Sequence, residues 1–131
     1  MEGDFMPEVS DSILQSTKLH LGIDPSYDAF DLDVMVSINT VFAVLEQLGV
    51  GPVGGFSISD DTAVWTDYLT SGDPRLEPVK TYMWLKTKSI FDPSTSSTVN
   101  EANNNILQEL EFRLGITADP WGGMIPNTVR Q

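Results

Sequence analysis

The sequence predicts an all-α protein: a small bundle of about five helices, a glycine-rich connector and an extended C-terminal arm. Three observations lead there. Apolar residues recur at helical spacing in five stretches. Gly and Pro stand where those stretches stop. Only Phe56 and Ile58 alternate as a short strand would, and one strand cannot make a sheet.

The first helix starts at a cap supplied by Ser10 or Asp11 and runs through Leu21, with Ile13, Leu14, Thr17 and Leu21 on one side and Gly22 as the stop. The second runs from Asp28 or Asp31, either of which can cap it, to Leu48 and stops at Gly49. Its apolar positions include Leu32, Val36, Ile38, Val41, Phe42 and Leu45; a narrow polar stripe is left, chiefly Asp33, Ser37, Thr40 and Gln47. A helix apolar on nearly all sides is expected to be buried on nearly all sides. Residues 49–61 form the connector, either irregular or pairing its one short strand with a second copy. Asp60 or Asp61 caps a third helix over 62–69, which Ser71-Gly72-Asp73-Pro74 ends. Pro78 suits the first turn of a fourth helix ending at Asp92-Pro93. Ser96 to Thr98 cap a fifth, carrying Val99, Ala102, Ile106, Leu110 and Leu114 and stopped by Gly115. The chain thus divides into an N-terminal segment (1–9), a helical domain (10–115) and an arm (116–131).

At 131 residues, 40% of them hydrophobic, the chain fits one globular domain. It has no cysteine, which leaves neither disulfides nor thiolate chemistry and agrees with a reducing compartment. The opening residues lack a basic, then apolar, leader pattern, and no apolar run is long enough to span a bilayer. Nineteen acids against seven bases give a net charge of −12, and Lys18 is the only base in the first 33 residues. That field repels phosphate backbones, so tight DNA binding is not expected.

No site of catalysis, metal or cofactor binding emerges. Asp24, Ser26 and Asp28 have the spacing of a calcium loop, but Ala29 stands where the turn needs glycine and Met35 where a bidentate Glu is required. The run Gly49 to Gly55 lacks the Gly-Lys-Ser/Thr ending of a phosphate loop. His20 is the only histidine, with no partner set for zinc and no Gly-x-Ser-x-Gly elbow; it belongs with the dipole at the end of the first helix.

Two features point to assembly instead. Lys80, Trp84 and Lys88 share one face of the fourth helix, a basic aromatic surface on an acidic protein that can meet the acidic flank of a second copy. The arm contains Pro120, Trp121, Met124, Ile125 and Pro126. Its prolines and Gly122-Gly123 exclude a long regular element, while Trp121, Met124 and Ile125 offer anchors for a partner.

Several segments taken in order resemble the head–tail connector (adaptor) proteins of long-tailed bacteriophages. They are Ile13-Leu14-x-Ser16-Thr17-Lys18-x-x-Leu21-Gly22-Ile23, Asp28-Ala29-Phe30-Asp31-x-Asp33 leading to Ile38-Asn39, and Leu45-x-Gln47-Leu48-Gly49-Val50-Gly51-Pro52. Gly55-Phe56-x-Ile58, Trp65-x-x-Tyr68-Leu69, Val79-Lys80-Thr81-Tyr82, Phe91-Asp92-Pro93-Ser94 and Glu111-Phe112-Arg113-Leu114 follow. The resemblance covers roughly residues 10–115. It implies a virion protein of the neck, assembled in the bacterial cytoplasm, that forms a ring of twelve copies under the portal. Such a ring binds the portal on one side and a head-closure or tail-completion protein on the other, and DNA passes through its channel without specific binding. The resemblance implies no cofactor and no membrane. Two other readings of an acidic chain this small are a DNA-mimic inhibitor and a DNA-packaging accessory protein.

Overall fold

The computed structural model describes residues 11–118. Five helices follow in order: α1 (Ile13–His20), α2 (Asp31–Gln47), α3 (Trp65–Tyr68), α4 (Leu76–Phe91) and α5 (Ser97–Ala118). Among the described residues there is no strand, so the protein is all-α as the periodicity predicts. α4 is the hub and packs against α1, α2 and α5. The core lies between these helices and includes Ile13, Leu14, Ile38, Phe42, Leu45, Tyr82, Met83 and Leu114.

Both glycine stops fall where expected. After α1, Ile23 N–H donates to Lys18 O and Gly22 N–H to Leu19 O; after α2, Val50 N–H donates to Leu45 O and Gly49 N–H to Glu46 O. These paired bonds satisfy the last carbonyls of each helix and require the left-handed backbone that Gly49 adopts at φ 86°.

Several starts differ from expectation. The cap of α1 is Ser12, not Ser10 or Asp11; its Oγ accepts from Gln15 N–H and donates to Asp61 O. α2 begins at Asp31 without a side-chain cap, because Asp31 is already engaged by Lys18 and Asp28 contributes only its carbonyl. Neither Asp60 nor Asp61 caps α3. Asp60 closes a turn with Thr62 and Asp61 accepts from Gln15, and the helix shrinks to one turn held by Asp67 reaching back to Val64 N–H. Gly115 does not stop α5, which continues to Ala118; Leu48 lies 4.0 Å from where a Cβ of residue 115 would sit.

The connector is fastened by side chains, not by strand pairing. Asn39 on α2 donates to Ile58 O at 2.9 Å and accepts from Ile58 N–H at 2.8 Å, so one amide takes both hydrogen bonds a neighbouring strand would make. Phe56 packs its ring on Phe42 and Tyr68. The remaining pairing is a single antiparallel bridge between Ser12 and Val64, which sews the start of α1 to the start of α3.

Gly51 permits this arrangement. Its φ is 105°, and a Cβ there would lie 2.6 Å from Tyr68 Cε1. Tyr68 is buried and donates to Val50 O at 3.1 Å, so the ring has little room to yield. Gly51→Ala is expected to lower unfolding free energy by roughly 2–4 kcal/mol, the sum of backbone strain and overpacking. Urea denaturation measures it; a loss under about 0.5 kcal/mol, the size of an ordinary surface change, would mean that the ring moves freely.

Candidate interaction surfaces

Lys18 is the one lysine the fold conceals completely, with no exposed side chain. α1 carries it into the bundle, where its ammonium donates to Pro25 O (3.0 Å) and Tyr27 O (2.7 Å) and stands 2.7 Å from Asp31 Oδ1. Two backbone carbonyls take its hydrogen bonds and Asp31 balances its charge, so α1, the 24–30 loop and the start of α2 are drawn to one point.

The other described cations also have partners in their own chain. Arg75 forks onto Asp73, Lys80 reaches Glu77, Lys86 approaches Glu111, Lys88 reaches Asp92 and Arg113 pairs with Glu109. Asp11, Asp24, Asp28, Asp33, Glu46, Asp60, Asp61, Asp67 and Glu101 carry no ion pair, so the surplus negative charge is displayed at the surface. Hydrogen bonds from Ser26 to Asp24, from Thr62 to Asp60 and from Arg75 to Asp73 hold these carboxyls below their usual pKa, which keeps them charged. Burial raises the Tyr82 phenol, whose O–H donates to Glu111 Oε2 at 2.7 Å and ties α4 to α5.

The α4 face foreseen for a neighbour is partly occupied from within. Lys80, Trp84 and Lys88 do share a side, but Trp84 stacks on His20 with ring centroids 3.6 Å apart and meets Trp65 edge-on. His20 therefore sits on an indole as well as at a helix end, and partial burial lowers its pKa. Lys80 pairs with Glu77 in the first turn of α4 and Lys88 with Asp92 at its C-cap. The other foreseen surface, Pro120, Trp121, Met124, Ile125 and Pro126, lies outside the described residues.

Two surfaces escape the sequence reading. α2, expected to be buried on nearly all sides, buries only the face of Val34, Ser37, Ile38, Val41, Phe42 and Leu45. Leu32 is 71% and Val36 59% exposed, and Ala43 continues their stripe. α5 follows expectation only in part: Leu114 and half-buried Leu110 of the expected stripe pack on the core and Leu107 joins them, whereas Val99, Ala102 and Ile106 are exposed. Beside Ile106 a shallow groove of two adjoining hollows, about 230 and 170 Å³, runs to the start of α4. It is lined by Pro74, Pro78, Leu110 and Leu114 together with Arg75, Arg113 and Glu109.

Among the described residues, no three His, Asp or Glu side chains converge to hold a metal, and no helix is long and apolar enough to cross a membrane. No curated protein and no solved structure matches the chain. Residues 13–120 match the family model described as Phage connector protein, which covers all five helices. That family is structural, and its members join portal and tail proteins in the neck of the virion. This chain belongs to the phage connector protein family.

Proposed function

We propose that the protein assembles as a ring of twelve copies beneath the portal, joins head to tail and extends the channel through which DNA passes. Family membership over residues 13–120 is the observation that carries this reading. Two physical features support it. Apolar stripes on α2 and α5 remain uncovered in a single copy, as expected of a subunit completed by neighbours. The unpaired carboxylates make a surface along which a phosphate backbone slides instead of binding.

In this reading Lys80 and Lys88, with Trp84 between them on α4, meet the acidic flank of an adjacent copy. Their present ion pairs are surface pairs worth at most about 1 kcal/mol each and exchange readily. The arm with Pro120, Trp121, Met124, Ile125 and Pro126 enters the portal, and a head-closure or tail-completion protein docks on the opposite side of the ring.

Negative-stain microscopy and native mass spectrometry with purified portal test the reading. A ring seated on the portal is expected. A chain that stays monomeric with portal yet blocks a nuclease would instead be a DNA-mimic inhibitor, and one that engages only the packaging motor an accessory of packaging. Truncation after Ala118, where α5 ends, is expected to preserve the helical circular-dichroism signal and to abolish portal binding. Retained binding would remove the arm from the portal contact.

A further inference from the structure

We propose that the outward stripe of α2 in one copy seats in the arginine-lined groove between α4 and α5 of the next, and that this is the apolar contact closing the ring. The proposal rests on the ring reading and names the surfaces that form it.

Leu32 and Val36 stand one turn apart on the side opposite the buried Val34, Ile38 and Val41, with Thr40 and Ala43 extending the line. Thr40 donates its hydroxyl to Val36 O, so the stripe presents no unsatisfied donor. Asp28, Asp33 and Glu46 border it and have no ion pair. The complementary surface must therefore be concave, apolar and supplied with cations.

The α4–α5 groove has those properties. Pro74, Pro78, Ile106, Leu110 and Leu114 line it together with both arginines of the described residues and one acid, Glu109, which Arg113 pairs. Arg113 is paired within its own chain, whereas Arg75 gives Asp73 two hydrogen bonds from Nε and Nη2, and a guanidinium with five donors accepts a second carboxylate. The α4 lysine face is a poorer candidate for apolar burial, because its Trp84 is already stacked on His20.

Symmetry decides the kind of contact. Pairing the α2 stripe with itself would oppose Asp28, Asp33 and Glu46 to their own copies, a like-charge contact that disfavours a two-fold dimer. Stripe and groove belong to different helices and different surfaces, so their contact is head to tail, the kind that closes into a ring when the rotation permits.

The absence of cysteine supplies a clean probe. Val36→Cys and Ile106→Cys, both at exposed positions, are made singly and together and cross-linked with a short thiol reagent on assembly with portal. Only the double variant is expected to give a ladder of covalent oligomers. A Val36→Cys variant that forms dimers alone would mean a two-fold α2 contact and overturn the proposal. A double variant that forms rings without a ladder would overturn it while leaving the ring reading intact; a wild-type chain that forms no ring would remove that reading first. Val36→Glu is expected to weaken assembly about tenfold or more, as loss of a central apolar contact does, with an unchanged thermal melt. Assembly at the wild-type concentration would count against the stripe. Residues 119–131 are the competing occupant of the groove: the double variant, full-length and truncated after Ala118, is also cross-linked at high concentration without portal, where the same ladder from both supports the second copy and a ladder gained only on truncation assigns the groove to the chain's own end.

Discussion

Lys18→Met is expected to cost about 3–5 kcal/mol of folding free energy, the usual loss when one member of a buried ion pair is removed. The size follows from what the ammonium does. From a fully buried position it donates to Pro25 O and Tyr27 O and balances the charge of Asp31. Methionine fills nearly the same volume and donates nothing, so two carbonyls and a carboxylate lose their partner together. Against a total stability of about 5–15 kcal/mol for a domain of this kind, such a loss leaves a substantial unfolded fraction. Asp31 is the informative counterpart. Its side chain is 25% exposed and can recover water, so Asp31→Leu combined with Lys18→Met is expected to restore part of the loss. Urea denaturation of the three variants is the measurement. A single variant that loses less than about 1 kcal/mol, the range of surface pairs, would show that Lys18 acts as one.

That clamp also marks the limit of what the sequence discloses. A lone lysine in an acidic segment reads as a solvated counter-charge, because burial of a charge depends on carbonyls that only the turn at Pro25 and Tyr27 brings within reach. The glycine stops at Gly22 and Gly49 and the proline in the first turn of α4 were legible, since each reports a backbone requirement local to itself. Gly115 carries the same signal but lies inside α5, since a single glycine costs a helix only about 1 kcal/mol and does not by itself end one. The stripe of Val99, Ala102 and Ile106 failed for a related reason. Helical spacing defines a face without saying which face a neighbour takes, and α4 takes the side of Leu107, Glu111 and Leu114. For α2 the periodicity reported apolar character on both sides correctly; the inference that one subunit buries both was the error. The Asn39 clasp on Ile58 spans nineteen positions and leaves no local trace.

Phe42→Ala is expected to be comparably damaging, at about 3–5 kcal/mol, through loss of packing and not of charge. Phe42 is 1% exposed on α2 and is the ring on which the connector closes. It meets Phe56 edge-on at 5.0 Å, lies 4.7 Å from Tyr68 and 6.5 Å from Trp65. Phe56 and Tyr68 also meet each other at 5.2 Å, so truncating Phe42 removes the shared member of a cluster instead of one pair. Because Tyr68 donates to Val50 O and Trp65 Nε1–H donates to Ser16 Oγ, displacement of these rings would reach both the Gly51 turn and α1. A thermal melt is expected to shift down by roughly 10 °C or more for a domain of this size. Phe112→Ala is the control: Phe112 is 68% exposed on α5, and its loss is expected to stay within about 0.5 kcal/mol. If Phe42→Ala instead behaves like Phe112→Ala, the connector is held by the Asn39 clasp and the Ser12–Val64 bridge alone, and Asn39→Ala then becomes the more destructive change.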